Sequence, residues 1–371
     1  MDANSPGATE IPAASVALPN SARPVTIQHI ATALGIHKST VSNALSGKGR
    51  LSDAMRERVV DFAAELGYAP DPLAQRLASR SKSRVVCLCS GALDPGRGSE
   101  KIALIQSALA DLGLEVPLYT PAKSPSRSPE AQIELFRQLR RQRPQAIICS
   151  SQAFHDVAFA ELEQFQAEGG IVVTYDLPVP LACDQVIFDR VDNAYQGARY
   201  LLERGHRDIG LGISRLVGAK TSNLNSTQNL RTAGFSQALR EWNQPLNPEW
   251  VFENSTHERG GAEMAQHFLS LENRPTGLCI VNDYVALAFM VEMMRAGVQI
   301  PEDVSIVGHD DQPIASYCPV PLTSVSQPAE QIVEATVRLL CERLDGENGP
   351  PRTVTIRGTL IERQSVASHA R

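Results

Sequence analysis

The alternation of apolar runs with amphipathic segments constrains the fold of this chain more than any other feature. From residue 85 onward, eight short apolar runs alternate with eight segments whose apolar residues recur at helical spacing. The runs lie at 85–90, 145–150, 171–175, 185–188, 208–213, 277–281, 304–308 and 352–357. The helical segments lie near 99–112, 129–142, 155–168, 192–204, 229–242, 257–270, 284–296 and 328–344. This order predicts parallel strands joined by crossover helices.

The number of strands is too large for one six-stranded sheet, so we expect an α/β domain of two doubly wound parallel-sheet lobes. Ligands of such sheets bind beyond the carboxyl ends of the strands. Two facing lobes therefore predict a closable cleft that holds a ligand.

The N-terminal part follows a different pattern. Residues 1–24 are rich in Pro, Ser, Ala and Asn, show no apolar period and are expected to form a disordered tail. Thr26 is a suitable N-cap for a helix whose apolar residues recur up to Leu34, and Gly35 is placed to end it. Ser52 begins a third helix that ends near Gly67.

A second short helix, over 38–45, lies between these two. Val41, Ala44 and Leu45 fall on one face, and the opposite face carries Lys38, Ser39, Ser42 and Asn43. Two helices joined by so tight a turn predict a helix-turn-helix, with the polar face of the second helix in a major groove. An ordinary three-helix bundle without DNA binding is the alternative.

Charge and cysteine content narrow the function classes. The net charge is −6, but residues 24–84 carry nine Lys/Arg against five Asp/Glu, so a basic head precedes an acidic body. No apolar run is long enough for a membrane span, and Asp2 and Glu10 stand where an export signal would carry base. The seven cysteines form no C-x-x-C pair and are expected to be core residues, although Cys87 and Cys89 could instead touch a ligand.

Short ordered motifs run through both parts of the chain. In the head they are Val25-Thr-Ile-Gln-His-Ile-Ala, Leu34-Gly-Ile, Ser39-Thr-Val-Ser-Asn-Ala-Leu-Ser-Gly and Leu66-Gly-Tyr-Ala-Pro. In the body they are Gly205-His-Arg, Arg231-Thr-Ala-Gly-Phe, Val298-Gln-Ile-Pro-Glu-Asp-Val-Ser-Ile-Val-Gly-His-Asp-Asp and Pro321-Leu-Thr-Ser-Val. In this order, over residues 24–366, the motifs resemble the lactose/galactose repressor (LacI/GalR) family of bacterial transcriptional regulators.

The resemblance implies a cytoplasmic, ligand-responsive repressor of carbohydrate or sugar-acid catabolic genes. Its parts would be a helix-turn-helix head at 25–69, a hinge helix and linker at 70–84, and a periplasmic-binding-protein-like effector domain at 85–366. We expect the first lobe at about 85–190 and 326–350, and the second at about 191–325 and 351–366. The expected partners are palindromic operator double-stranded DNA, a small-molecule effector and a second copy of the chain, with no membrane partner.

The resemblance also implies the contact residues. The expected DNA-contacting residues are Thr26, Lys38, Ser39, Thr40, Ser42, Asn43, Arg76, Leu77 and Ala78. Leu77 would wedge into the minor groove at the operator centre, with simple packing as the alternative. The expected effector-binding residues are Asp176, Arg231, Asn282, His309 and Asp310, a set that suits a polyol or sugar acid.

The chain departs from the family pattern at several positions. His37 stands where the family generally has Ser, Asn43 replaces a frequent Arg, and Asp71 stands where Asn is usual. His309 replaces an aromatic residue. Arg97, in the loop 91–98, would favour an anionic ligand unless it is a solvated loop residue.

Two other classes of protein share part of this pattern. A solute-binding protein would share the lobes but carry an export signal and lack the helix-turn-helix. An enzyme is disfavoured because no nucleotide-binding or nucleophile motif accompanies the carboxylates Asp176 and Asp310, which could otherwise form a hydrolase-like pair. We expect no catalysis, cofactor or metal, and the absence of C-terminal leucine heptads predicts a dimer rather than a tetramer.

Overall fold

A computed structural model of the chain describes residues 25–45, 51–68, 85–90, 96–120, 128–214, 226–254 and 257–369. The chain divides into two compact units, Met1–Lys82 and Ser83–Arg371. The expected tail at 1–24 and the expected hinge helix within 70–84 lie outside the described residues.

The first unit contains three helices: α1 (Ile27–Leu34), α2 (Lys38–Leu45) and α3 (Asp53–Glu65). Gly35 ends α1 with φ 64°, a left-handed conformation that glycine adopts without strain. Buried aliphatic residues from all three helices form one small core: Ile30, Ala31, Val41, Ala44, Val59 and Ala63. The head therefore has the three-helix arrangement that the apolar spacing predicts.

The second unit contains two six-stranded sheets. The first has the order β11-β5-β4-β3-β1-β2, and all of its strands are parallel. Its strands are β1 (Val86–Cys89), β2 (Leu118–Tyr119), β3 (Ala146–Ser150), β4 (Ile171–Asp176), β5 (Asp184–Phe188) and β11 (Thr353–Ile356).

The second sheet has the order β12-β10-β9-β8-β6-β7 and is parallel except for the edge strand β12. Its strands are β6 (Ile209–Ser214), β7 (Val251–Asn254), β8 (Gly277–Ile280), β9 (Ser305–Asp310), β10 (Thr323–Ser326) and β12 (Leu360–Ile361). These sheets confirm the fold class, two parallel α/β lobes behind an all-α head.

Helices cover both faces of each sheet. Those of the first lobe are α4 (Arg97–Asp111), α5 (Pro129–Gln142), α6 (Ala160–Ala167) and α11 (Ala329–Leu344). Those of the second are α7 (Arg190–Glu203), α8 (Thr227–Glu241), α9 (His257–Ser270) and α10 (Asp283–Arg295). Two hydrophobic clusters flank each sheet, and strands buried on both faces read as continuous apolar runs rather than alternating ones.

Three segments cross between the lobes and bond to one another. The Asp189 N–H donates to the Ile356 oxygen at 2.9 Å, and the Ser326 N–H donates to the Thr359 oxygen at 2.8 Å. A Cβ placed on Gly358 would lie 1.9 Å from the Ser326 oxygen, so only glycine allows this approach. The connection between the lobes is thus tightly packed.

The structure corrects part of the expected division into lobes. Strand β11 pairs with β5 in the first sheet, so residues 353–356 belong to the first lobe and not to the second. The alternation of strands and helices does not specify which sheet a strand near the C-terminus joins. Strand β11 joins the first sheet at its edge, beside β5. Strands β2, β7, β10 and β12 were not predicted, and the region of the expected helix at 155–168 begins with a 3-10 helix over Asp156–Phe159.

The cysteines are core residues, as predicted. All seven are free thiols, six of them buried, and Cys87 and Cys89 pack with Phe136 and Leu139 in the first lobe. Within the part of the chain that the structure describes, no helix is long and apolar enough to cross a bilayer.

Candidate functional sites

Helix α2 places a polar face on the surface of the head. Val41 and Ala44 are buried and fix the helix against the core. The polar residues of α2 that were predicted to contact DNA are all exposed or half-buried: Lys38, Ser39, Thr40, Ser42 and Asn43. Short hydroxyl and amide side chains of this kind can approach base edges, and an asparagine can pair bidentately with adenine.

His37 serves as the capping residue of α2. Its Nδ1 accepts the Ser39 N–H at 3.4 Å and lies 2.8 Å from Ser39 Oγ. The imidazole therefore satisfies an amide of the first turn, as the hydroxyl of the usual serine would. The contact also orients a hydroxyl that the sequence predicts to contact DNA.

Side chains also satisfy backbone groups at the start of α1 and at the end of α2. Thr26, which is exposed, accepts the His29 N–H on its hydroxyl at 3.4 Å and so begins α1. The Arg56 guanidinium donates to the Ala44 oxygen at 3.3 Å, where the carbonyls of α2 end. Arg76, Leu77 and Ala78 lie outside the described residues.

In the second unit, strained backbone collects at the carboxyl ends of strands. Six non-glycine residues of the described chain have positive φ, and four of them lie at these ends. They are Asp176 (92°), Asn282 (57°), Asp310 (96°) and Asp311 (47°). Such conformations cost about 1–3 kcal/mol each and concentrate at functional sites. The geometry thus marks the edge where the sequence predicts a ligand.

Asp176 ends β4 and is bound by two side chains of its own lobe. The buried ammonium of Lys101, on α4, forms a salt bridge with one carboxylate oxygen, and Ser150 Oγ donates to the other at 2.9 Å. Burial raises the pKa of the Asp176 carboxyl, but Lys101 and Arg190 together hold it below its usual value. Burial lowers the pKa of the Lys101 ammonium, and Asp176 opposes that effect.

Arg190, the first residue of α7, lies at a crossing between the lobes. Its Nη1 donates to the main-chain oxygen of Asp176 at 3.0 Å, and its Nη2 donates to Gln152 Oε1 at 2.8 Å. The side chain is 3% exposed. Both partners are neutral oxygens, so these bonds leave its positive charge without a directly bonded carboxylate.

Arg231, on α8, faces Asp310 from the second lobe. Its Nη2 lies 3.8 Å from the Asp310 carboxylate, and the side chain is 5% exposed. Nε and Nη1 have no hydrogen-bond partner among the described residues. Burial lowers the pKa of this guanidinium to about 10, so Arg231 remains charged at neutral pH.

Arg97 joins the lobes rather than facing solvent. Its Nε donates to the main-chain oxygen of Asp310 at 3.0 Å, and its Nη2 donates to that of Asp311. Its Nη1 bonds Glu100 at 2.6 Å. All three guanidinium nitrogens of Arg97 therefore bond protein atoms. The sequence offered two interpretations of Arg97, a ligand contact or a solvated loop residue, and the structure agrees with neither.

Asp283 positions the turn that carries Asp310 and Asp311. Its carboxyl oxygens accept the Gln312 N–H at 2.6 Å and the Ser324 hydroxyl at 2.7 Å, and Ser324 in turn accepts the Asp311 N–H at 3.1 Å. Burial and the nearby Asp310 raise the pKa of Asp283 to about 8. The Asp283 carboxyl therefore fixes the backbone that follows Asp310.

Of the five expected effector residues, the structure brings Asp176, Arg231 and Asp310 to the region between the lobes. Asn282 begins α10, with its Oδ1 accepting the Val285 N–H at 3.0 Å, and is half-buried. His309 differs from the expectation. Its ring is fully buried, its Nδ1 bonds the Ile280 oxygen at 3.0 Å, and it packs against Gly197 on α7.

Sequence reasoning missed Lys101 and Arg190. Lys101 lies one turn before Ile105 on the buried stripe of α4, and a lysine in an apolar stripe was the available signal. Arg190 lies two residues after the carboxyl end of β5, in the region where ligand-binding residues of parallel sheets occur.

A helix-turn-helix head followed by two doubly wound lobes defines the class of a DNA-binding regulator with a solute-binding-protein-like domain. Family models support both parts. Residues 26–71 match "Bacterial regulatory proteins, lacI family", and residues 198–366 match "Periplasmic binding protein-like domain". The chain belongs to the LacI family.

Individual relatives and solved structures are similar to this chain over most of its length. The HTH-type transcriptional repressor PurR of Aliivibrio salmonicida (strain LFI1238) is 25% identical over 341 residues, which cover 92% of this chain and 98% of the relative. The crystal structure of the Lac repressor dimer bound to operator and the anti-inducer ONPF has a TM-score of 0.76 at 24% identity, covering 93% of this chain and all of that one. The CelR–cellobiose complex has a TM-score of 0.66 at 23% identity, covering 92% and 100%. The relatives are transcriptional repressors, which confirms the expectation of a regulator rather than an enzyme.

Proposed function

We propose that this protein is a cytoplasmic repressor that binds a palindromic operator as a homodimer and is switched by a small carbohydrate-like effector between its lobes. The observation that carries the proposal is the combination of an exposed polar face on α2 with a group of buried, incompletely partnered polar side chains between the lobes. The first suits base recognition and the second suits a small polar ligand.

On the DNA side, each residue of the α2 face has a distinct role. Asn43 reads an adenine edge, and Lys38 contacts a guanine edge or a phosphate. Ser39, held by His37, together with Thr40 and Ser42 contacts base edges or backbone, and Thr26 contacts the backbone from the start of α1. Arg76, Leu77 and Ala78 complete the contacts from the hinge, where Leu77 wedges between base steps at the operator centre.

On the effector side, the polar groups suit hydroxyl-rich molecules. Asp176 and Asp310 accept hydrogen bonds from hydroxyls, Asn282 donates and accepts, and Arg231 donates a fork. His309 supports this set from the core of the second lobe. Solved structures of related fold hold cellobiose and ribose, which supports a sugar or sugar acid as the effector class.

The decisive experiment is fluorescence anisotropy of the purified protein on a labelled fragment of its own upstream DNA at fixed salt. The expected result is tight binding that depends on an intact palindrome and is shifted by one compound from a panel of sugars and sugar acids. Leu77→Ala should weaken binding to this site more than to random DNA. Binding equally tight to random DNA would contradict the proposal.

Sedimentation equilibrium tests the assembly independently. We expect a mass of two chains for the free protein and two chains for each operator duplex. A mass of four chains, or of one chain on the operator, would contradict the dimer.

A further inference from the structure

Among the residues that the structure describes, three buried cations face two carboxylates between the lobes, Asp176 and Asp310. Lys101, Arg190 and Arg231 are 1%, 3% and 4% exposed. Asp176 forms a salt bridge with Lys101, and Asp310 lies 3.8 Å from Arg231. Burial lowers the pKa of Lys101, Arg190 and Arg231, and the Asp310 carboxylate opposes that shift at each of them, so all three cations lie within its electrostatic range.

The neighbouring ionisable groups do not supply the negative charge that would balance the three cations. Asp311 is paired with Arg363 at 2.8 Å, and Arg97 is paired with Glu100 at 2.6 Å. Asp283 holds the Gln312 amide and the Ser324 hydroxyl, and its raised pKa of about 8 leaves it mainly protonated at neutral pH. Among the described groups of this region, one positive charge therefore remains in excess.

The excess charge is located on donors that point at no acceptor. Arg231 has Nε and Nη1 without partners among the described residues, and Arg190 has Nε in the same state. Leaving a buried donor unpaired costs about 1–3 kcal/mol, and more when the group is charged. A neutral polyol can accept such hydrogen bonds, but only an anion also neutralises the charge.

We infer that the cleft selects a small ligand bearing an anionic group, either a carboxylate or a phosphoryl group, and that Lys101, Arg190 and Arg231 form its seat. This inference rests on the proposed function and names the chemical class of its effector. Lys101 acts as a specificity-determining residue because it neutralises Asp176, which would otherwise repel an anion. Without Lys101 the cations and carboxylates would be equal in number.

Isothermal titration with matched compounds tests the seat on the full-length protein. Aldonates are compared with the corresponding alditols, and sugar phosphates with the free sugars, so that each pair differs in the anionic group. The preference is the ratio of the two affinities within a pair. For the wild type we expect the better-fitting anion to bind at least about tenfold more tightly than its neutral counterpart, and the two series distinguish carboxylate from phosphoryl.

Substitutions at the Lys101–Asp176 pair then change the charge in steps. Lys101→Met should reduce the preference severalfold, and Asp176→Asn should raise it severalfold. The double variant keeps the original charge balance and should restore a ratio near that of the wild type. Arg295→Met, which removes a cation on the 70% exposed Arg295 side chain, is the control and should leave the ratio unchanged.

The pattern across the four proteins decides the question. A common loss in all pair variants, a preference that does not follow the charge, or binding restricted to neutral compounds would overturn the seat. If Lys101→Met fails to fold, the other two variants still give different predictions: a raised ratio for Asp176→Asn and a ratio near that of the wild type for the double variant. Operator binding of the same samples is measured in parallel without ligand. Loss of operator binding would indicate that the DNA-binding head does not function, whereas intact operator binding with no preference for anions would indicate a wrong ligand class.

Discussion

Arg97 Nε donates a hydrogen bond to the main-chain oxygen of Asp310 at 3.0 Å, which links the first helix of one lobe to a strand end of the other. The same guanidinium bonds the main-chain oxygen of Asp311. Because both acceptors are backbone atoms, the contact depends on the relative position of the lobes. It does not depend on the side chains of Asp310 and Asp311. It is a direct means of stabilising one lobe arrangement over another.

Arg97→Met should therefore shift the protein toward a more open arrangement of the lobes. We expect a larger radius of gyration in small-angle X-ray scattering of the ligand-free protein, and roughly tenfold weaker binding of a ligand that requires the closed form. Arg259→Met, at an 82% exposed side chain, is the control. Scattering and affinity equal to those of the wild type would contradict this role.

Asn43→Ala should weaken operator binding by roughly 1–3 kcal/mol and relax specificity at one base pair in each half-site. The Arg56 bonds near Asn43 go to main-chain oxygens, so the head should keep its fold. Competition binding against operators substituted one position at a time measures the effect. Thr32→Ala, an exposed change on α1, is the matched control. A uniform loss across all operators would instead assign Asn43 to the phosphate backbone.

Asp184 should make stability depend on pH in acid. Burial raises the pKa of its carboxyl, but bonds from Arg343 and Arg352 lower it to about 2. The folded pKa lies below the unfolded value of about 3.9, so the stabilisation is full above about pH 4 and is lost as the pH falls toward 2.

Asp184→Asn should accordingly lower the free energy of unfolding at pH 7 by roughly 3 kcal/mol, as expected for breaking a buried ion pair. The difference from the wild type should narrow between about pH 4 and pH 2. Urea unfolding across this range, with exposed Asp208→Asn as the control, provides the measurement. A difference that is constant with pH would show that the effect comes from packing.

Gly358→Ala should disrupt the crossing between the lobes. The added methyl would lie 1.9 Å from the Ser326 oxygen, so the backbone must move at a cost of roughly 2 kcal/mol or more. Gly98→Ala, in α4, meets no atom within 4 Å and should be neutral or stabilising by up to about 1 kcal/mol. Thermal unfolding of both variants tests the contrast. Equal midpoints for the two would contradict it.

The sequence predicted the architecture because each strand of a parallel sheet is apolar along its whole length and each helix has a continuous apolar stripe. Asp176 and Asp310 were expected from the resemblance to the LacI/GalR family, and both lie at strand ends, where ligand-binding residues of parallel sheets occur. Lys101 was missed because a helical pattern scores lysine as surface, and only tertiary packing brings this one beside a buried carboxylate. The return of β11 to the first sheet was missed because strand pairing over long separations is not encoded in local periodicity.

His37 shows a different limit. It departs from the family pattern at the start of α2, yet its Nδ1 performs the capping task of a hydroxyl. Side chains of unlike size can present an acceptor to the same amide, so residue identity alone does not decide whether a helix begins.

The path of the chain through its three crossings has a practical consequence for dissecting the protein. The first lobe is assembled from residues before 190 together with α11 and β11, and the second from the stretch between β5 and α11 together with residues after β11. Neither lobe is a continuous piece of polypeptide, so neither can be cloned alone by trimming one end. Deleting the last twelve residues would remove β12 from the second sheet but leave β11 in the first. A protease cut at the first crossing would leave α11 and β11 of the first lobe on the fragment that carries the second lobe.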